Sequence, residues 1–305
     1  GHNTQPWRFR VEGDRLLLFA DRSRRLPVVD PNDRALVISC GAALALLRAA
    51  MRYFGHAGTI DLLPNGADPG PLAVIALGKA HLPSPAERAR FDAIPRRRTT
   101  RRDFTAEPLP PGLLRSLSAF DEAGARPAII TDPDAKARVA TLVGEGDRAQ
   151  FANPAFRAEL AAWVRSRRSA SRDGMSGANF GFPDIASPLG AAVIRRVDMG
   201  ASIGRTDEAR VRAAPALALV TTPQDGPRDW LNAGMVHADM LLDIAAAGFT
   251  AAYCNQPIET ARLRSPLAAA AGVADIAQLL MRLGQATPPA PAVRRPVEAV
   301  LVRQG

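Results

Sequence analysis

Residues 41–64 read GAALALLRAAMRYFGHAGTIDLLP, and residues 234–257 read GMVHADMLLDIAAAGFTAAYCNQP. In each stretch a glycine opens an apolar helical run and a second glycine, Gly55 or Gly248, closes it fourteen residues on. A proline, Pro64 or Pro257, follows nine residues later. A further element agrees: LGKAHLPSP from Leu77 and LGQATPPAP from Leu283 share Leu-Gly, then Ala, then two prolines at the same offsets. Glycine and proline are common here, at 24 and 26 residues, so one coincidence would mean little. The same spacings in the same order mean a repeat. Its physical unit is a helix with an apolar stripe, ended by a glycine that takes the left-handed cap conformation. A short extended segment stopped by proline comes next. An apolar strand, residues 72–77 or 278–283, then runs into Leu-Gly. Each half of the chain is expected to supply one copy to a common core.

Around the repeat, residues 7–11 and 15–20 read as a hairpin turned at Glu12-Gly13-Asp14. Helices are expected over 110–123, 133–151 and 154–168, and strands over 126–131 and 217–222. Residues 169–190, rich in Gly, Ser, Asn and Pro, read as a long loop of the kind that forms lids. Its Gly174, Gly177 and Gly181 would be flexible points, with Phe180 and Phe182 as apolar covers. The halves divide at 95/96, giving units 1–95 and 96–305.

The 305 residues are 47% hydrophobic and 23% charged, an ordinary balance for a globular chain with a sizeable core. The longest apolar helical stretch, 35–54, is broken by Ser39, Arg48 and Arg52, so it reads as a core helix rather than a span. No membrane partner is expected. Cys40 and Cys254 stand alone in apolar surroundings, which argues against a disulfide framework and for a reducing compartment. A cytoplasmic location follows as the expectation. The sequence opens at Gly1, inside a motif, and a preceding segment, with or without an export signal, is compatible with that opening. Lysine and arginine total 39 against 30 acids, a net charge of +9 carried mostly by arginine. Such a surplus serves nucleic acid, an anionic cofactor or solubility, so the placing of the arginines decides.

Two segments carry candidate chemistry. GHNTQPW, residues 1–7, is dense in side-chain amides; Asn3 and Gln5 offer both donors and acceptors, which suits the mixed edge of a flavin or a nucleobase. A capping turn before the hairpin would use the same residues. RRRTTRRDF, residues 96–104, sets five arginines around Thr99 and Thr100. Arg98 and Arg102 share a face if the segment is helical, and guanidiniums beside hydroxyls suit a phosphate monoester. A solvated basic linker is the plainer reading. Near the C-terminal end, Arg294 and Arg295 precede a final strand-like run and would form a second arm of a phosphate site. Residues 144–149 fit GxGxxA formally but follow a helical stretch, not a strand, so no dinucleotide fold is read there. The histidines at 2, 56, 81 and 237 show no metal spacing, and His237 reads as a core residue of the second repeat helix.

Asn3 through Trp7 resembles the NxQPW segment of FMN-dependent nitroreductases. RRTTRRDF from Arg97 resembles their RRSxRxF segment, with Arg98, Thr100, Arg102 and Phe104 on the patterned positions. The wording HNTQPWRFRV, DRSRRLPVVDP, ISCGAAL and RRPVEAVL is similar to the Acg-like branch, in which two nitroreductase-like halves are fused. The resemblance implies an α+β fold, a mixed sheet flanked by helices, in an internally duplicated pseudo-dimer. It implies FMN between the halves, with Arg98, Thr99, Thr100 and Arg102 at the phosphate and ribityl end and Arg294 and Arg295 assisting. Asn3 and Gln5 would reach the ring from the other half. The segment lying along the ring in that superfamily maps onto Tyr253, Cys254, Asn255 and Gln256, although the usual Pro-x-Glu-Gly is absent.

The implied function is an FMN-dependent oxidoreductase, reduced by NAD(P)H and passing electrons to a nitroaromatic or quinone-like small molecule. The pseudo-dimer would be complete within one chain and so able to act as a monomer. Since the flavin carries the chemistry, no catalytic side chain is required. A flavin-sequestering protein with little turnover is the second reading. Nucleic-acid binding through 96–102 would account for the charge but leaves Asn3, Gln5 and the repeat without a role, so no nucleic-acid partner is expected.

Overall fold

The computed structural model describes residues 1–66, 70–180, 183–287 and 290–302. The chain begins with the hairpin β1 (Trp7–Glu12) and β2 (Arg15–Ala20). Their register pairs Glu12 with Arg15, and Gly13 between them takes φ 57°, the conformation that tight hairpin turns require. Helix α1 (Arg34–Tyr53) starts where the Asp30 carboxylate accepts from the amides of Ala35 (3.0 Å) and Leu36 (2.9 Å), satisfying donors that a helix start leaves open. It ends at Gly55, φ 86°, with the amide of His56 bonded back to Met51. Strands β3 (Thr59–Leu62) and β4 (Ala73–Ala76) follow, then α2 (Pro85–Ala93) behind a Ser84–Glu87 capping box.

After α3 (Pro111–Ser118) a second unit begins with β5 (Arg126–Ile130). Four helices intervene: α4 (Pro133–Ala152), α5 (Pro154–Ala162), α6 (Ser187–Arg196) and α7 (Gly200–Ala213). The unit resumes with β6 (Ala216–Thr222), α8 (Pro227–Ala246), β7 (Thr250–Tyr253), α9 (Gln256–Glu259), α10 (Ala261–Ala270) and β8 (Ile276–Gly284). The last strand is β9 (Leu301–Val302). The fold is α+β. One sheet has the order β3-β4-β2-β1-β9, the other β5-β6-β8-β7. With β9 set aside, both are antiparallel and run in the same order: helix-following strand, last strand, second strand, first strand.

The two repeat segments occupy equivalent places. Gly248 ends α8 with φ 83°, and the amide of Phe249 bonds to Ile244, as His56 does to Met51. Thr59 pairs with Ala76 in one sheet as Ala252 pairs with Arg282 in the other. Where α1 crosses α8, a Cβ on Gly41 would lie 2.1 Å from the carbonyl oxygen of Leu231, and one on Gly234 would lie 2.1 Å from that of Ile38. The contact is reciprocal, each glycine meeting the residue three before its counterpart. Helix α1 is long and apolar enough to cross a membrane, but Leu36, Val37, Cys40 and Leu44 are buried in a core shared with Leu231 and Met235 of α8.

Strands β1–β4 all precede residue 96 and β5–β8 follow it, while β9 pairs in parallel with β1, making that sheet mixed. Three elements differ from their sequence reading. The helix expected over 110–123 stops at Ser118, where the hydroxyls of Ser116 and Ser118 bond back to Leu113 and Leu114. The helix expected to reach 168 stops at Ala162, because Trp163 and Arg165 form a short ladder with Met175. The 169–190 segment is not one long loop. Its Asp184 carboxylate accepts from Ser166 (2.8 Å), Ser176 (2.6 Å) and the amide of Arg167 (3.0 Å), and Ser187 already opens α6. Gly181 and Phe182 lie outside the described residues.

Candidate functional site

The segment 96–102 runs beside the outer edge of β7. The amide of Thr100 donates to Ala251 (2.9 Å), and the Thr250 hydroxyl donates to the Arg98 carbonyl (2.7 Å). This seats the arginines against Tyr253, the last residue of β7. From the other side come the N-terminal residues and 293–295. Asn3 Nδ2 donates to the carbonyls of Gly174 (3.1 Å) and Val293 (3.3 Å), while its Oδ1 accepts from Arg294 (3.1 Å). Gln5 donates to the carbonyl of Arg172 (3.0 Å) and accepts from the amide of Arg295 (2.8 Å). His2, Asn3 and Gln5 hold φ values of 51°, 54° and 51°, so this turn is held in a backbone region that side chains disfavour.

The result is a cleft. Tyr253 is 43% exposed, yet burial raises its phenol pKa, and Arg97 and Arg294 act in the opposite sense. Arg101 and Arg294 share that condition: both are exposed, and burial lowers the pKa of each. For Arg294 the repulsion of Arg97 and Arg98 adds to burial. Among the described residues no carboxylate forms an ion pair with Arg97, Arg98 or Arg294, so three guanidiniums crowd together without an acid to balance them. Burial, then Arg97, pushes His237 behind Tyr253 down to about 3, so the ring is neutral. At the other end Arg101 lies over the Phe180 ring at 4.9 Å, with Asp147 and Asp207 in its field.

A cavity of about 220 Å³ occupies the corresponding place beside β3, lined by Arg48, Met51, Ile60, Glu122 and Met235. There Arg48 is clamped between Glu122 (2.8 Å) and Asp239 (2.6 Å), so the cavity lacks the uncompensated positive charge of the cleft. The electrostatics, not the volume, distinguish the cleft from this cavity.

No family model matches the chain. Acg of Mycobacterium tuberculosis, a proposed NAD(P)H nitroreductase, is 30% identical over 311 residues, covering 98% of this chain and 90% of its own length. The chain belongs to the nitroreductase superfamily, in its Acg-like branch. A second proposed NAD(P)H nitroreductase of that organism is 29% identical over 306 residues, covering 98% and 86%. Among solved structures, the FMN- and NADPH-dependent nitroreductase NfnB from sphigopyxis sp. strain HMH matches with a TM-score of 0.47. It is 18% identical, over 71% of this chain and 99% of that one. NfnB of Mycobacterium smegmatis matches at 0.45, with 17% identity over 70% and 96%.

Within this nitroreductase-family chain the structure brings Asn3 and Gln5 to Arg294 and Arg295 and sets Arg98 near Arg294, whereas Asn255 and Gln256 bond elsewhere in the fold. Asn3 and Gln5 meet Arg294 and Arg295 directly, but their amides tie together three stretches of backbone. The Arg295 guanidinium binds the carbonyls of Gln5 (3.1 Å) and Ala299 (2.6 Å) and lies 3.5 Å from Asp21, so it fastens the site rather than facing it. Arg98 bonds to the carbonyls of Pro95 and Arg97. Thr99 bridges to Ala251, and the Thr100 hydroxyl accepts from the amide of Arg102, whose side chain is exposed. Asn255 accepts from the amide of Leu280 (2.8 Å), and Gln256 donates to Asp147 (3.0 Å) and Asp207 (3.3 Å). Arg97, Arg101 and His237 escaped the motif reading. Arg97 precedes the first patterned position and Arg101 sits between two of them, and His237 is separated from Tyr253 by the second half of α8.

Proposed function

We propose that the chain is an FMN-dependent oxidoreductase that takes electrons from NAD(P)H and passes them to a nitroaromatic or quinone-like acceptor. The observation that carries this is the cluster of Arg97, Arg98 and Arg294 without an acid partner. Such a cluster in a half-desolvated cleft suits a phosphate monoester, because charge-assisted bonds there are strong and the free state is strained by repulsion. The fit extends to the buried Nε2 of His2, which has no partner among the described residues. FMN bound here would supply reversible two-electron chemistry. The chain's own part is to hold the phosphate through Arg97, Arg98 and Arg294, and to keep Asn3 and Gln5 as the clasp that closes the site. In this reading one chain suffices, with no nucleic-acid or membrane partner.

Purified protein is expected to be yellow and to release FMN on denaturation. Arg97→Ala and Arg294→Ala should each weaken FMN binding about ten- to a hundredfold by fluorescence titration. A colourless protein that takes up no added FMN overturns the proposal.

The sequestering reading has one observation in its favour. The 163–187 segment is pinned through Asp184 and through the Asn3 and Gln5 bonds to Gly174 and Arg172. Bleaching of bound flavin by dithionite but by neither NADH nor NADPH in stopped flow would decide for storage.

A further inference from the structure

Tyr253 and His237 are joined through the phenol oxygen and Nε2 at 2.8 Å, with ring centroids 5.5 Å apart. The positions in the other unit that keep the same offsets from Gly41 hold Ile60 and Leu44. Two aliphatic side chains thus satisfy the packing of this helix against this strand, and the polar pair is not a requirement of the fold.

The protons of the pair can be placed. His237 is 6% exposed and neutral, so it has one ring N–H, and its Nδ1 is buried without a partner. Were the phenol to donate to Nε2, the ring hydrogen would sit on Nδ1, an orphan donor in the positive field of Arg97. The opposite tautomer puts the hydrogen on Nε2, where the phenol oxygen accepts it, and leaves at Nδ1 a lone pair that the same field favours. The second arrangement frees the phenol hydrogen. Arg97 and Arg294 are the charged groups acting on Tyr253, and none of its neighbours in that field is an acid.

We infer that Tyr253 is a binding residue of the anion site, donating its phenol hydrogen to the same phosphate monoester that Arg97, Arg98 and Arg294 attract. His237 is its positioning residue. The resemblance places Tyr253 along the flavin ring; its neighbours in the structure are the guanidiniums. The inference rests on the reading of the cleft as a phosphate site.

FMN and riboflavin, which lacks the phosphate, separate the possibilities in fluorescence titrations of flavin-stripped protein. Tyr253→Phe should bind FMN about tenfold more weakly and riboflavin unchanged. His237→Leu, whose replacement already stands at the equivalent place in the other unit, should show the same selective loss and keeps the test alive if Tyr253→Phe does not fold. His237→Gln, with an N–H able to reach the phenol oxygen, should recover most of it. The double variant Tyr253→Phe/His237→Leu should be no worse than either single one, because the two act as a unit. Unchanged FMN affinity in both single variants overturns the inference, as does an equal loss for FMN and riboflavin. A parent protein that binds FMN no better than riboflavin would instead overturn the phosphate reading itself.

Discussion

Asp147 is 2% exposed, one of its oxygens has no partner, and Asp207 lies close by. Burial, reinforced by Asp207, pushes its carboxyl from 3.8 up to about 7. The folded chain therefore keeps a proton that an unfolded chain has already released, and it binds more protons across the window between those values. Stability contributed by this group is lost as pH rises through about 7. Asp147→Asn removes the penalty, so its melting temperature should exceed that of the parent at about pH 8 and converge with it toward about pH 4. A variant that melts lower than the parent at both pH values would show that the carboxylate makes a contact worth more than its burial costs. This residue also marks a limit of reading from sequence. It belongs to the 144–149 stretch that imitates a nucleotide fingerprint, and its glycines serve packing instead. Cβ atoms on Gly144 and Gly204 would lie 3.0 and 2.7 Å from each other's carbonyl oxygens where α4 meets α7. Arg98, Thr100, Asn3 and Gln5 were legible because their types recur at fixed spacing. Arg97 and His237 were not, since what gives them a role is a neighbour distant in sequence.

At the scale of elements, local chemistry marks helix ends well. Gly55 and Gly248 terminate α1 and α8 as their spacing predicts, and the hairpin turns where Gly13 stands. The reading falters at the start of α6, which the loop expected over 169–190 overlaps; α7 went unread, and its Gly200 and Gly204 are helical and admit a neighbouring helix. The α1–α8 crossing permits a paired test of what a glycine is for. Gly41→Ala forces a methyl onto backbone oxygen, which no side-chain rotation relieves, and should destabilise by about 3 kcal/mol or more. Gly248→Ala meets nothing within 4 Å and is opposed only by its φ of +83°, a cost of about 1 kcal/mol. Chemical denaturation of both variants checks the order. Equal losses would mean that the helices slide apart to accept the methyl.

For the whole molecule, the two sheets are joined by contacts between residues far apart in the chain. Arg34 of α1 donates to the carbonyl and side chain of Gln278 in β8, and β9 crosses to β1. A chain ended after residue 290 loses Arg294, Arg295 and β9 together. It should bind FMN more weakly than Arg294→Ala alone, and hydrogen exchange should speed up along β1, whose edge is then unpaired. Unaltered exchange in β1 would show that β9 adds nothing to its protection. The repeat made the two-unit plan readable, because it rests on spacing. The crossing of β9 was not, since a two-residue strand does not declare its partner.

The clasp between Asn3 and Arg294 has a temporal meaning. It joins residues 291 positions apart, so the N-terminal side of the cleft must wait, exposed, while nearly all the chain described here is synthesised. With the cleft read as a phosphate site, a growing chain on the ribosome has no complete place for a phosphate until its closing segment emerges. On the same reading, full-strength cofactor binding is thereby reserved for polypeptides translated past Arg294. Chains interrupted earlier would hold the cofactor only weakly.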